Sequence, residues 1–292
     1  MSGTRVLVTG GGGQVASDLS ALLTPEVDEL RAPGRAELDV TDDAALAATF
    51  ESLRPTVVYN CAAFHNVEVC ETEVDRSFEV NVRAVKALGR LCAEHDAKLV
   101  HLSTNYVFDG TAAEPYPEHA LPNPRSIYAI SKLAGEYAAL SYAPDALVVR
   151  TAGLYGLNGS ASKGGNFVTR MVARAKEQGA LKMVFDQRLT PTYTGDLAAA
   201  LLDCVDRGVG GVLHLTNSGS TSWHGFTEAI MAAAGIDVPV DPVATTIPPG
   251  GAARPLNGVL ASTRTDAPAL RPWEAALGDY MDRAGLLASV AA

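Results

Sequence analysis

The stretch from Arg5 to Leu19 restricts the fold more than any other part of the chain. Arg5-Val6-Leu7-Val8-Thr9 reads as a short buried strand, Gly10-Gly11-Gly12-Gly13 follows at once, and Gln14-Val15-Ala16-Ser17-Asp18-Leu19 opens a helical pattern. A strand that turns through glycine straight into a helix is the first unit of a parallel sheet with crossover helices. Gly11-x-Gly13-x-x-Ala16 fits the fingerprint that ends in Gly or Ala. Its glycines give a tight turn and let backbone approach a pyrophosphate, and a small third residue lets the helix pack on the strand. The helix N-terminus then offers N–H groups and a positive dipole to the anion.

The rhythm continues. Further strands are expected near 27–33, at 55–63, at 98–104 and at 145–151. Helices are expected over 42–53 with Thr41 as N-cap, over 73–95, and from Tyr128 to Ala139. This alternation predicts an α/β chain with a Rossmann-like, doubly wound parallel sheet, built by a dinucleotide-binding domain over 1–156. After Gly156 the alternation weakens, although helices are expected over 167–178, 196–205 and 223–234 and a strand over 211–216. The chain is expected to return to the first domain near 194–217, with 157–193 and 218–292 forming a smaller C-terminal substrate-binding lobe.

Composition narrows the partners. The net charge of −10, with no block of Lys or Arg, argues against nucleic-acid binding. No apolar run is long enough for a bilayer, so no membrane partner is expected. Cys61, Cys70, Cys92 and Cys204 have no zinc-like spacing, and none of the six histidines forms an HExxH pattern, so no metal is expected. Reduced thiols and the lack of a signal-type N-terminal segment predict a cytoplasmic protein.

Two local features point to chemistry. The second strand runs into Pro33-Gly34-Arg35, without an acidic residue at its tip. An acid there would bind the ribose of NAD, whereas an arginine accommodates the 2′-phosphate of NADP, so NADPH is expected, with NADH the alternative. Tyr128 and Lys132 stand four residues apart and share a helix face. A lysine cation so placed is expected to lower the tyrosine's pKa and ready the phenol for proton exchange with a carbonyl or alcohol oxygen.

Thr9-Gly10-x-x-Gly13-Gln14, Asn60-Cys61-Ala62-Ala63, Ser103-Thr104-Asn105-Tyr106-Val107-Phe108-Asp109-Gly110 and Tyr128-x-x-x-Lys132-Leu133-Ala134-Gly135-Glu136 together resemble the extended short-chain dehydrogenase/reductases. Within them the chain is most similar to the dTDP-4-dehydrorhamnose reductase group of sugar-nucleotide 4-ketoreductases. Gly165-Asn166-Phe167, Pro191-Thr192-Tyr193-Thr194 and Arg254-Pro255-Leu256-Asn257 extend the likeness over nearly the whole chain. The resemblance implies Tyr128 as proton donor, Lys132 as the residue orienting the cofactor ribose, and Thr104 as a second donor to the substrate oxygen. It implies cofactor contacts from Gly10, Gly13, Gln14, Val15, Arg35, Asp39, Val40, Cys61, Ala62, Ala63, Asn81 and Ser103, besides Tyr128 and Lys132. Substrate contacts are expected from Asn105, Gly153, Asn166 and Arg254, with Lys163, Arg170 and Arg174 as further candidates for a diphosphate.

The implied partner is a small nucleotide sugar, and a homodimer is the assembly left open. Asn105 stands where the group carries an acid, and Gly153 stands where it carries a tryptophan, so a wider sugar pocket is expected. Two other readings compete: a non-catalytic subunit like the regulatory subunit of methionine adenosyltransferase, and an epimerase or dehydratase that retains its NAD. The intact Thr104, Tyr128 and Lys132 favour the reductase.

Overall fold

The computed structural model describes residues 3–159 and 164–288. Lys163 lies outside the described residues.

The chain runs β1 (Arg5–Thr9), α1 (Gln14–Leu23), β2 (Glu29–Arg31), α2 (Asp43–Leu53), β3 (Val57–Asn60), then the short helices α3 (Val67–Thr72) and α4 (Val74–Phe78). After a π-helical turn (Glu79–Arg83) come α5 (Ala84–Glu94), β4 (Lys98–Thr104), α6 (Ile127–Tyr142) and β5 (Leu147–Thr151). Short strands β6 (Leu154–Tyr155), β7 (Leu181–Val184), β8 (Arg188–Leu189) and β9 (Thr192–Tyr193) flank α7 (Phe167–Gln178). Then follow α8 (Thr194–Asp206), β10 (Gly211–His214), β11 (Thr221–Ser222), α9 (Trp223–Ala234), β12 (Val240–Val243) and α10 (Trp273–Arg283).

One six-stranded sheet, ordered β10-β5-β4-β3-β1-β2, is parallel at every pairing. Its strands are near-continuous apolar runs because helices cover both faces. On one face α1 and α8 bury Val6, Val8, Val100 and Val149; on the other α2, α5 and α6 bury Leu7, Val58, Leu99 and Val148. Successive residues of each strand thus serve opposite cores, as the two-residue period demands. A third core gathers Tyr155, Met171, Phe226, Trp273 and Tyr280 from the later elements.

Two expectations are corrected. The helix at 42–53 is capped by Asp42, whose Oδ1 accepts from the Ala44 and Ala45 N–H groups, while the Thr41 hydroxyl donates to Asp39. Asp42 leads because a carboxylate accepts more strongly than a hydroxyl from two free N–H groups. The helix expected over 73–95 is broken at the π-turn, where Asn81 is fully buried. The Asn81 carbonyl presses so close to Gly135 on α6 that any β-carbon there would collide with it. A wide turn of this kind displaces one carbonyl from the helix ladder, and π-turns recur at functional sites.

Candidate active site

The carboxyl ends of β1, β3, β4 and β5 form one edge, and the site is built there. This is where an open parallel sheet leaves a crevice for ligands. Gly10 has φ +73 and sits so near Ala62 that a β-carbon would meet the Ala62 N at 2.9 Å. Gly11 donates to the Pro33 carbonyl at 3.0 Å, tying the turn to the end of β2. Above Gly12 a β-carbon would meet nothing within 4 Å. The result is an open cradle over the start of α1, whose first-turn N–H groups face outward. Beside it the buried Gln14 Oε1 has no hydrogen-bond partner, and neither does Thr151 Oγ1 at the end of β5. An open backbone cradle and unpaired polar atoms at a sheet's carboxyl edge fit a dinucleotide with its pyrophosphate on the helix terminus.

Val15 is buried at the start of α1, and Val40 packs with Ala62 and Phe64 in a small apolar cluster. Arg35 is 73% exposed and stands 3.4 Å from Asp39. Asp39 also accepts from the Thr41 N–H and hydroxyl and from Arg76 at 3.2 Å. Burial, the largest single influence, raises its pKa, but the Thr41 and Arg76 contacts together prevail and hold it down to about 2. Arg76 is a second arginine at this corner that sequence reasoning missed. It lies far along the chain, on a five-residue helix with no motif of its own.

Asn81 braces rather than lines the crevice. Its Oδ1 accepts from the Phe64 N–H at 2.9 Å, and its Nδ2 donates to the Phe64 carbonyl and to Ser131, each at 3.0 Å. The Ala62-Ala63-Phe64 segment is thereby pinned to α6.

The reactive group is set by α6 against β4. Ser126 caps the helix, accepting from the Ala129 N–H, and Glu71 accepts from the Ile127 N–H at 2.8 Å. Tyr128, in the first turn, has its hydroxyl near that of Thr104, and Tyr106 packs edge-on against it at 5.7 Å. Burial raises the Tyr128 pKa; the nearby Thr104 hydroxyl opposes this, and the net shift is upward. Lys132, 2% exposed, donates to the Leu102 carbonyl at 2.7 Å. Burial brings the Lys132 pKa down to about 8, with Glu136 and Cys61 pulling it up.

The expectation that the lysine cation lowers the tyrosine's pKa is therefore corrected. Burial is the largest influence on both groups. A phenol raised in this way stays protonated across the neutral range, which suits a proton donor. Ser103 donates to Glu136 at 2.5 Å, and Glu136 is clasped by Arg150 at 2.6–3.1 Å. That pair lies directly behind Lys132.

The substrate-side residues divide. A small cavity beside Thr104 is lined by Asn105, Tyr106, Gly153, Gln187, Arg188 and Trp223, among others. Asn105 donates to the Gly258 carbonyl at 2.8 Å, so it anchors the 257–261 segment as well as facing the cavity. A carboxylate there would repel that carbonyl, which accounts for the amide at this position. Gly153 lines this cavity, and the local backbone itself calls for glycine. It has φ +59, and a β-carbon would meet Leu189 Cδ1 at 2.8 Å and the Thr190 carbonyl at 2.9 Å.

Trp223, the first residue of α9, supplies an aromatic wall that sequence reasoning missed; Ser222, a capping residue before it, was the available signal. Asn166 is corrected as a substrate contact. It is 4% exposed, caps α7, and donates to the Gly156 carbonyl and the Tyr280 hydroxyl, each at 2.7 Å. Arg254 pairs with Glu68 at 2.9 Å and lies close enough to the Tyr106 hydroxyl to interact with it, which joins it to the site. Arg170 and Arg174 are exposed along α7. Among the described residues no cluster of side chains could hold a metal ion, and no helix is long and apolar enough to cross a membrane.

A family model described as the RmlD substrate binding domain matches residues 4–285. A solved structure of a dTDP-4-dehydrorhamnose reductase from Clostridium acetobutylicum is 36% identical, with a TM-score of 0.91 over 96% of this chain and 99% of that one. A dTDP-4-dehydrorhamnose reductase from Bacillus anthracis, solved in complex with NADP, is 30% identical, with a TM-score of 0.90 over 97% and 99% of the two chains. A curated relative from Streptomyces niveus, dTDP-4-keto-6-deoxy-D-glucose reductase, is 37% identical over 88% of each chain.

Proposed function

Because this chain belongs to the RmlD substrate binding domain family, we propose that it is an NADPH-dependent reductase of the 4-keto group of a dTDP-type nucleotide-linked deoxysugar. The observation that carries the reading is the placement of the Thr104 and Tyr128 hydroxyls near one another, beside a buried Lys132 and at the same sheet edge as the open glycine cradle. Residues 1–156 with 194–217 are read as the dinucleotide-binding domain, and 157–193 with 218–292 as the substrate-binding lobe.

Gly10, Gly13, Gln14 and Val15 would hold the pyrophosphate at the start of α1. Arg35 would take the 2′-phosphate, with Asp39 and Val40 shaping that corner. Cys61, Ala62 and Ala63 would border the dinucleotide beyond β3, steadied by Asn81 through Phe64, and Ser103 would support the strand end. When bound, the nicotinamide supplies hydride to the ketone carbon. Tyr128 gives its proton to the oxygen as negative charge develops there, and Thr104 is a second donor to the same oxygen. Lys132 orients the nicotinamide ribose. Asn105, Gly153 and Trp223 form the sugar wall, and Arg254 reaches the diphosphate.

With NADPH and a panel of dTDP-linked 4-keto sugars, the protein is expected to consume NADPH. Tyr128→Phe is expected to lower kcat roughly 100- to 10,000-fold while NADPH affinity is retained. No turnover of any sugar by the wild type, with NADPH still bound, would sink this reading in favour of the non-catalytic subunit.

A further inference from the structure

Three buried polar side chains lie in one row across the sheet. Thr9 on β1 is paired with Asn60 on β3, and Asn60 with His101 on β4. Each is at most 2% exposed. Two residues back along each strand, the matching row is Leu7, Val58 and Leu99, all apolar. Polar groups at such depth must find partners, and these find one another. Thr9 Oγ1 donates to Asn60 Oδ1 at 2.7 Å, and Asn60 Nδ2 lies 3.0 Å from His101 Nδ1. An amide NH2 only donates, so Nδ1 accepts and the proton of the neutral ring sits on Nε2. That nitrogen lies 3.4 Å from Lys132 Nζ. Gly135 of α6 stands against the ring, where a β-carbon would be in ordinary contact with Nε2 at 3.4 Å.

We propose that His101 is a positioning residue for Lys132: held by Asn60 and Thr9, its Nε2–H is aimed at the lysine nitrogen and governs whether that nitrogen keeps its proton. The imidazole itself stays neutral, since burial and the Lys132 charge press its pKa well below the usual range. Besides His101, the groups facing Lys132 are Glu136 on its own helix, Cys61 at the end of β3, and the Leu102 carbonyl. Arg150 on β5 is held on Glu136. Aimed at an ammonium, the imidazole N–H sets donor against donor; aimed at a free amine, it makes a hydrogen bond. The row therefore favours the free base, and its loss lets Lys132 keep its proton to higher pH.

The catalytic meaning of this rests on the ketoreductase reading, but its test does not. The Lys132 side chain is titrated by carbon-13 NMR in the full-length protein, its resonance identified by its loss in Lys132→Met. His101→Leu is expected to raise the midpoint by about half a pH unit or more. His101→Gln, whose amide again offers an N–H, is expected to titrate with the wild type. A midpoint in a folded His101→Leu at or below the wild-type value, or a His101→Gln shift as large as that of Leu, overturns the proposal. Should His101→Leu fail to fold, the near-isosteric Thr9→Val carries the test two links away: a raised midpoint supports the proposal and an unchanged one overturns it. Absence of sugar turnover by the wild type would count against the reductase reading alone.

Discussion

Arg35 is where a single residue carries the most separable consequence. It is exposed, loosely paired with Asp39, and set beside the strand end that the glycine turn touches. Replacing it with alanine removes one charge and little packing. Arg35→Ala is expected to raise KM for NADPH on the order of tenfold, the loss of one charge-assisted contact, and to leave KM for NADH unchanged. An unaltered preference between the two would refute the 2′-phosphate assignment. Residues of this kind were legible in the sequence because they sit on local motifs: glycine turn, strand tip, helix start. Asn166 differs from its expected role for the opposite reason. What it touches, Tyr280, lies far along the chain.

Helix α6 is the element on which the buried polar groups converge. Lys132 meets the row from β1, β3 and β4, and one turn later Glu136 meets a second row, in which Ser103, Arg150 and His214 pair across β4, β5 and β10. Arg150 and Glu136 are 5% and 2% exposed, and Ser103 shares the same carboxylate. Removing one partner of such a pair leaves the other buried without a counter-charge. Glu136→Gln is therefore expected to destabilise the fold by about 3–5 kcal/mol in denaturant titration. A change below about 1 kcal/mol would show that Arg150 finds another partner. The sequence announced the helix and its Tyr–Lys spacing. It did not announce the rows, because a transverse row is set by strand register and each of its members lies on a different strand.

At the scale of the whole molecule, residues 257–263 return to the sheet from late in the chain. The Tyr116 N–H donates to the Val259 carbonyl and its carbonyl accepts from the Ala261 N–H, and Glu118 accepts from Ser262 and from the Thr263 N–H and hydroxyl. Burial raises the Glu118 pKa, but these donors prevail and lower it from 4.5 to about 2. A carboxyl whose folded pKa is depressed stabilises the fold fully above its unfolded value and loses that stabilisation as pH falls through the folded one. Glu118 should thus stabilise the protein above pH 4.5 and cease to do so near pH 2. Between those limits the wild type is expected to lose more thermal stability than Glu118→Gln; parallel melting curves for the two would disprove this anchor. The parallel sheet was readable from the alternation of strand and helix. The returning segment was not, since it carries no regular periodicity and its partners lie about 140 residues earlier.

The π-turn between α4 and α5 also bears on how this chain tolerates insertion and deletion. A regular helix could be restored by removing one residue from Glu79–Arg83. Because the wide turn absorbs the extra residue, the deletion would leave Val85, Leu88 and Cys92 on the sheet but withdraw Asn81 from Phe64 and Ser131. Gly135 would then face a gap where the Asn81 carbonyl stood. The extra residue is thus locked into the length of the chain, and lineages descending from it can vary the side chains of this segment more readily than its residue count.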